Sequence, residues 1–385
     1  MAENTITALL PDVYEAMDVV SREITGATAA VTINASATQA KVGQNITIDI
    51  EPAYAAGDNI TPSMTVPDPT GETSAARSMT ISKSKSYSFG FNGEDQVGLN
   101  TSVGYMNVRA QKIAQRIRTL VNEVEADLCA LHVGTSRAYG TAGTTPFATA
   151  GDYTDATFAK KILVDNGAPD YDNHIIMNTT AGATLTGKQA AVNIAGTDYI
   201  QRQGVLLPLA GLDLRQSAQI VNFTAGTAAS ATTDATGYAV GSTTITLASA
   251  GTGTILTGDA ISFAGDSEKY IVVTGDTDVS DGGTVVIQAP GLRKAIPAAA
   301  TAITVSANSS RGLIFNRSAI VLAARAPARP VEGDLAADVQ LVTDPRSGLT
   351  FELSMYKGYR KVRYEIALAW GVKNFIPEWT GVLLG

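Results

Sequence analysis

The chain has 385 residues, of which 6% are aromatic and 17% charged, with 28 basic side chains against 36 acidic ones and a net charge of −8. That length exceeds one typical domain and predicts a large discontinuous body with a second module inserted. The acid excess argues against a sequence-independent grip on nucleic acid, which needs Lys and Arg to neutralise phosphates, and no apolar run reaches the roughly 20 residues that cross a bilayer.

Residues 1–35 read as an N-terminal arm. Within it Val13, Met17, Val20 and Ile24 recur at helical spacing, predicting a short helix over Pro11 to Ile24. Asp12, Glu15 and Asp18 give that helix an acidic outward side, suited to a basic partner helix. The opening stretch MAENTITALLPDVYEAMDVV lacks the basic end and apolar core of a signal peptide, so assembly in a cytoplasm is expected. A single cysteine, Cys129, allows no internal disulfide.

Residues 36–92 read as a long two-stranded projection. NITIDIEP runs out, SMTISKSKSYSFGF returns, and the tip at 66–77 is rich in Pro67, Pro69 and Gly71. Met79, Ile81, Lys83, Lys85, Tyr87 and Phe89 share one face of the returning strand. A hairpin so poor in apolar residues is marginal alone and gains stability by lying across a neighbour.

Residues 93–158 hold the longest helix, expected from Thr101 to His132, with an apolar stripe through Ile113, Ile117, Val121, Val124 and Leu128. Its charges oppose the helix dipole. Arg109, Lys112, Arg116 and Arg118 lie toward the N-terminal half, and Glu123, Glu125 and Asp127 toward the C-terminal half. Such a helix needs opposite charges from outside itself, within the subunit or on its neighbours.

Residues 159–222 mix helix and strand, with HIIMN at His174 to Asn178 as a buried strand. Over 223–306 the composition turns to Thr, Gly, Ala and Val, with short strands such as KYIVVTG and GTVVIQA between Gly and Asp turns, which predicts an inserted β-barrel or sandwich. It carries seven acidic residues against three basic, a solvated acidic surface without the Asp/Asn ladder of a calcium loop. Residues 307–342 return to the first body. In 343–385, Thr350, Glu352, Ser354 and Tyr356 alternate with Phe351, Leu353 and Met355, and Val362, Tyr364, Ile366, Leu368 and Trp370 repeat the pattern. Period-2 alternation marks two half-buried strands, with the turn beginning at Lys357 and Gly358.

No catalytic, cofactor-binding or metal site is expected. Cys129 and His132 are three apart, but His174 is the only other histidine and no second cysteine exists. GATLTGKQ, from Gly182 to Gln189, matches a phosphate-binding loop until Gln189 stands where a Ser or Thr hydroxyl would hold magnesium. Asp170 and Asp172 alternate in APDYDNH as a solvated strand entry.

The block DPRSGLTFELSMYKGYRKVRYEIALAWGVK from Asp344 to Lys373, together with RGLIFNRSAIVLAARAPARP from Arg311 to Pro330, resembles the major capsid proteins of short-tailed bacteriophages. The likeness extends more loosely over most of the chain. It implies an α+β capsid fold of the type shared by tailed phages and herpesviruses. The parts would be an N-arm, an extended loop, a spine helix, peripheral and axial domains, and an inserted β domain. It implies self-association as pentamers and hexamers into an icosahedral virion shell around double-stranded DNA, contacted only non-specifically. A scaffolding protein and a portal protein would be further partners, with no membrane and no enzymatic step. Expected assembly contacts are Asp12, Glu15 and Asp18 in the arm, Arg77, Lys83 and Lys85 in the loop, Arg109 and Lys112 in the helix, and Arg346, Arg360 and Arg363 near the C-terminal strands. Two other readings remain at this stage: an adhesin-like protein that binds through the β insertion, and an encapsulin-like storage shell.

Overall fold

The computed structural model describes residues 10–35, 39–49, 62, 64–65, 76–102, 104–149, 152–191, 206–220 and 222–385, so most of the expected loop tip lies outside the described residues. In chain order the elements begin α1 (Leu10–Val19), β1 (Thr32–Ala35), β2 (Asn45–Asp49), β3 (Ala76–Thr80), β4 (Lys83–Asn92), α2 (Gly93–Ser102) and α3 (Tyr105–Cys129). They continue with β5 (Arg137–Gly140), α4 (Thr154–Asp165), β6 (Asn173–Met177), α5 (Thr179–Ala191), β7 (Leu212–Gln216) and β8 (Asn222–Phe223). Next come β9 (Thr244–Leu247), β10 (Ala260–Phe263), β11 (Lys269–Thr274), β12 (Gly283–Ile287) and β13 (Ile303–Val305). The last strands are β14 (Ser309–Asn316), β15 (Ile320–Arg325), β16 (Ala336–Thr343), β17 (Thr350–Gly358), β18 (Lys361–Asn374) and β19 (Thr380–Leu384). The class is α+β.

Two sheets organise the body. One runs β1-β15-β18-β17-β16, with β4 along the other edge of β18; the second runs β13-β10-β11-β5-β19-β14-β6-β7. The segments expected from the sequence therefore interleave. β4 joins the C-terminal strands, β15 and β16 sit with β17 and β18, and β19 crosses to the second sheet beside β14.

The returning strand of the projection is two strands. β3 pairs with β2, from Asp49↔Ala76 to Asn45↔Thr80, while β4 pairs with β18 from Lys83↔Trp370 to Asn92↔Lys361. The break falls at Ile81 and Ser82. Ile81 is fully buried with its N–H donating to Gln44 O at 3.0 Å, and the Ser82 N–H donates to Trp370 O at 3.1 Å. The strand changes partner there because Gly371 lets the hairpin lie against β18: a Cβ at Gly371 would sit 2.2 Å from Thr80 O.

α1 is also shorter than its hydrophobic spacing predicts, and Ile24 is exposed. The reason lies beyond the helix end. Arg22 and Glu23, which a helix to Ile24 would contain, instead reach Asp344 and Arg118, and the N–H groups of Gly26, Ala27 and Thr28 are given to a side chain elsewhere in the chain.

The spine helix α3 is 25 residues long, about 37 Å at ~1.5 Å per residue. It is shorter than expected at both ends. Gly104, with φ +88°, separates it from α2, and residues Ala130–Gly134 tighten into a 3₁₀ turn. Its buried stripe, with Ile113, Ile117, Leu120, Val124 and Leu128, packs into one core with Val13 and Met17 of α1 and Leu353, Ile366, Leu368 and Trp370 of the first sheet. Each such fully buried aliphatic side chain contributes about 1.5–3 kcal/mol.

β17 is buried on both faces, not one. Glu352 and Ser354, expected to meet solvent, are 5% and 2% exposed. Arg329 closes over them, donating from Nε and Nη2 to Glu352 Oε1 at 3.1 and 2.9 Å and from Nη2 to the Ser354 hydroxyl. The turn after β17 consists of Tyr359 and Arg360, because Gly358 still pairs with Lys361.

The insertion has its own core of Ile245, Leu247, Ile261, Phe263, Val272, Val285, Ile287 and others. It joins the body where Lys269 and Tyr270 of β11 pair with Ala138 and Arg137 of β5. There the Arg137 side chain, 1% exposed, reaches Asp165 at 3.2 Å and Glu268 at 2.9 Å.

Candidate functional site

The inverted charges of the spine helix are answered inside the chain. Lys83, Lys85, Tyr87, Phe89 and Phe91 share one face of β4, and that face lies on α3. Lys83 Nζ meets Asp127 Oδ1 at 2.6 Å and Lys85 Nζ meets Glu123 Oε2 at 2.6 Å; the Tyr87 hydroxyl donates to the other oxygen of Glu123. Further along, the Arg116 guanidinium lies 4.4 Å from the Phe89 ring centre and Lys112 Nζ lies 4.4 Å from that of Phe91. Two residues of strand advance about 6.7 Å and four residues of helix about 6 Å, so each same-face strand residue meets roughly the next turn of the helix. Lysines thus fall on the acidic end and aromatic faces on the basic end.

Trp370 and Tyr364 of β18 complete this interface. Trp370 Nε1–H donates to Asp127 Oδ2 at 2.8 Å. Arg109, 6% exposed, donates to the Tyr364 hydroxyl at 3.1 Å and lies 5.2 Å from the Tyr105 ring. Burial pushes Tyr105 up to about 12, reinforced by Tyr364. Burial works against the Glu123 carboxylate, but the hydrogen bonds from Lys85 and Tyr87 keep it below its ordinary value.

Glu125 fastens the arm. Wholly buried, it accepts four hydrogen bonds: from the N–H groups of Gly26 and Ala27 at 2.7 Å each, the Thr28 N–H at 2.8 Å and the Thr28 hydroxyl at 2.7 Å. The chain here also passes tightly against β7, which residue 26 allows by being glycine: a Cβ there would lie 2.4 Å from Gln216 O. Next to it Arg118 binds Glu23 through Nε at 2.7 Å and through Nη2. The Arg118 hydrogen bond is the main cause that holds Glu23 down at about 2. Arg22, its side chain 7% exposed, reaches Asp344 at 2.7 Å. Arg22 did not stand out in the sequence, and Glu125 stood out only as a charge set against the helix dipole, with no mark of its burial.

The residues expected to make assembly contacts divide into two groups. Lys83, Lys85, Arg109 and Lys112 are engaged on or under the spine helix as described, Arg77 donates to the Phe375 carbonyl, and Arg363 pairs with Glu365 at 2.8 Å. Glu15, Asp18, Arg346 and Arg360 are exposed, Asp12 is partly so, and none of these five has an ion pair among the described residues.

The chemical motifs take structural places. Gly182 to Gln189 lies inside the continuous helix α5, where backbone N–H groups are spent on the helix and cannot cradle a phosphate; Lys188 Nζ donates to Thr149 O at 2.6 Å and Asp152 O at 2.7 Å. Cys129 is buried, which with the nearby Glu125 charge pushes its thiol up to about 12, and its sulfur contacts the Ser217 hydroxyl at 3.7 Å. Burial, with help from Arg311, holds His132 down at about 4, and its ring meets Phe223 edge-on at 5.4 Å. Asp172 receives His174 Nε2 at 3.0 Å, while Asp170 pairs with Lys160 at 2.7 Å. Among the described residues no group of three or more His, Cys, Asp or Glu could hold a metal ion. No described helix is long and apolar enough to cross a membrane.

No family model and no curated protein matches the chain. Among solved structures it is similar to the capsid of the cyanophage P-SCSP1u, at 12% identity over 95% of this chain and 89% of that one, with a TM-score of 0.49. A structure from Mycobacterium phage Che8 matches at 13% identity over 94% and 92% of the two chains, TM-score 0.45. A virus-like particle from Pyrococcus furiosus matches at 10% identity over 98% of each, TM-score 0.42.

Proposed function

We propose that this chain is the major capsid subunit of a tailed phage, which self-associates as pentamers and hexamers into an icosahedral shell around double-stranded DNA. The role is structural and not enzymatic. A separate scaffolding protein guides assembly in the host cytoplasm and a portal occupies one vertex. The inserted β domain stabilises the subunit and decorates the shell.

The observation that carries this reading is the place of the two capsid-like sequence blocks. Arg311–Pro330 and Asp344–Lys373 are apart in sequence, yet they supply β14, β15, β17 and most of β18, and β15 pairs with β18 from Ile320↔Asn374 to Arg325↔Ala369. Around that pair are fastened the arm, the hairpin strand β4 and the spine helix, each by a named contact: Glu125, the β4–β18 ladder, and Asp127 with Trp370. The net charge of −8 suits a lining that does not hold packaged phosphates.

The test is expression with and without the scaffolding partner, followed by negative-stain microscopy and sedimentation. Closed shells roughly tens of nanometres across are expected. A single small oligomer under both conditions, folded by circular dichroism, refutes the reading.

A further inference from the structure

At the end of the first sheet the β17–β18 turn and the start of α2 enclose a cleft of about 660 Å³. Lys357, Arg360 and Lys361 line it, all three exposed, and none has an ion pair among the described residues. Glu94 is the one acid on its described wall. The first turn of α2 is already capped, with Asn92 Oδ1 accepting from the Asp95 N–H at 2.7 Å, so the side-chain cations are what the cleft offers. The turn is held open to solvent: Tyr359 is 92% exposed, and Arg360 stands at φ +54°.

The complementary surface is on the same chain. Asp12, Glu15 and Asp18 follow one another at three-residue intervals along α1, spanning about 9 Å. They too lack ion pairs among the described residues. α1 cannot turn them toward its own cleft, because Val13, Ala16 and Met17 are sealed into the core on the other side.

We propose that this cleft receives the acidic face of α1 from a second copy of the chain. The inference rests on the shell reading above and names one of its contacts. Because the two surfaces differ, the contact is heterologous, the kind that makes a ring when its rotation closes. Nucleic acid suits the cleft less well: three cations beside a carboxylate on a chain of net charge −8 make a weak phosphate binder.

Two kinds of variant test it directly. E15C and R360C, prepared separately and mixed under mild oxidation, are expected to form a disulfide-linked dimer that neither forms alone; the buried Cys129 does not compete. The charge reversal K357E/R360E/K361E is expected to lower the yield of assembled particles about tenfold, as is D12K/E15K/D18K, and the double set to restore it. Glutamine versions at the same positions, checked for folding by circular dichroism, separate lost attraction from misfolding. Wild-type shells with no E15C–R360C cross-link and unaltered assembly of both reversed sets overturn this inference and leave the shell reading standing. A wild type that never assembles removes both. Reversal of the cleft that abolishes retention of a DNA duplex but leaves assembly intact makes it a phosphate site and also overturns the inference.

Discussion

Replacing Glu125 by Gln removes one charge and one acceptor at the buried joint between arm and spine, with almost no change in volume. The two oxygens of Glu125 each accept two hydrogen bonds, three of the four from backbone N–H groups. In the amide, one oxygen becomes an NH₂ that faces donors. If it replaces Oε2, the Thr28 N–H loses its acceptor while the Thr28 hydroxyl can rotate to accept. A buried donor left unpaired costs about 1–3 kcal/mol, and the two hydrogen bonds that remain lose the gain of about 1 kcal/mol each that an ionised acceptor brings. The expected loss is therefore about 3–5 kcal/mol, large against the ~5–15 kcal/mol stability of a typical protein. Urea denaturation of unassembled subunits measures the total. Hydrogen exchange at Gly26, Ala27 and Thr28 tests the location, since these amides should lose protection first. Thr28→Val, which removes only the hydroxyl, should cost much less. Wild-type protection at these three amides in Glu125→Gln, with stability changed by less than about 0.5 kcal/mol, would refute the reasoning.

Gly371→Ala should destabilise by about 1–3 kcal/mol or displace the β2–β3 hairpin, because the new methyl meets Thr80 O; thermal melting with protease sensitivity near Ile81 reads both effects. Trp370→Phe, which strips the donor from Asp127, should cost about 1.5–3 kcal/mol, whereas Lys83→Ala, at a side chain 41% exposed, should cost under about 1 kcal/mol and lose its effect in high salt. Arg329→Ala leaves Glu352 buried without its cation and should cost about 3–5 kcal/mol, measured by urea midpoint. For acid stability the sign follows from Glu23: its folded-state value of about 2 lies below the ordinary 4.5, so its contribution is present above pH 4.5 and is lost as the pH falls toward 2. Glu23→Gln should flatten the acid limb of the stability profile in that window, and an unchanged limb would remove Glu23 from the account.

The amphipathic stripe of α3 and the β17–β18 hairpin were legible as periodicity, and the HIIMN strand as a short apolar run, because these are local patterns of neighbouring residues. Periodicity could not say which partner lies beyond the apolar face. The run from Ser78 to Phe91 alternates without interruption, yet changes partner at Ile81, and only the contact of Gly371 with Thr80 explains why. In the same way Glu352 and Ser354 carry the alternation of a solvated face, while Arg329, more than twenty residues earlier, covers them. Among the expected assembly residues, exposure and charge did not separate Lys83 and Lys85, held on α3, from Arg360, which faces solvent.

The sequence by itself determined the element types, the separate character of the Thr- and Gly-rich insertion, the capsid-like wording of the C-terminal blocks, and the paradox of a helix charged against its dipole. These are properties of neighbouring residues and of composition, and they need no knowledge of distant contacts. The tertiary structure alone decided how the paradox resolves, with lysines of β4 on the acidic half and aromatic rings on the basic half, and alone made Glu125 the joint of the arm. Both depend on residues about 20 to 100 positions apart being brought into contact, where burial raises the cost of any unpaired charge and pairing removes it.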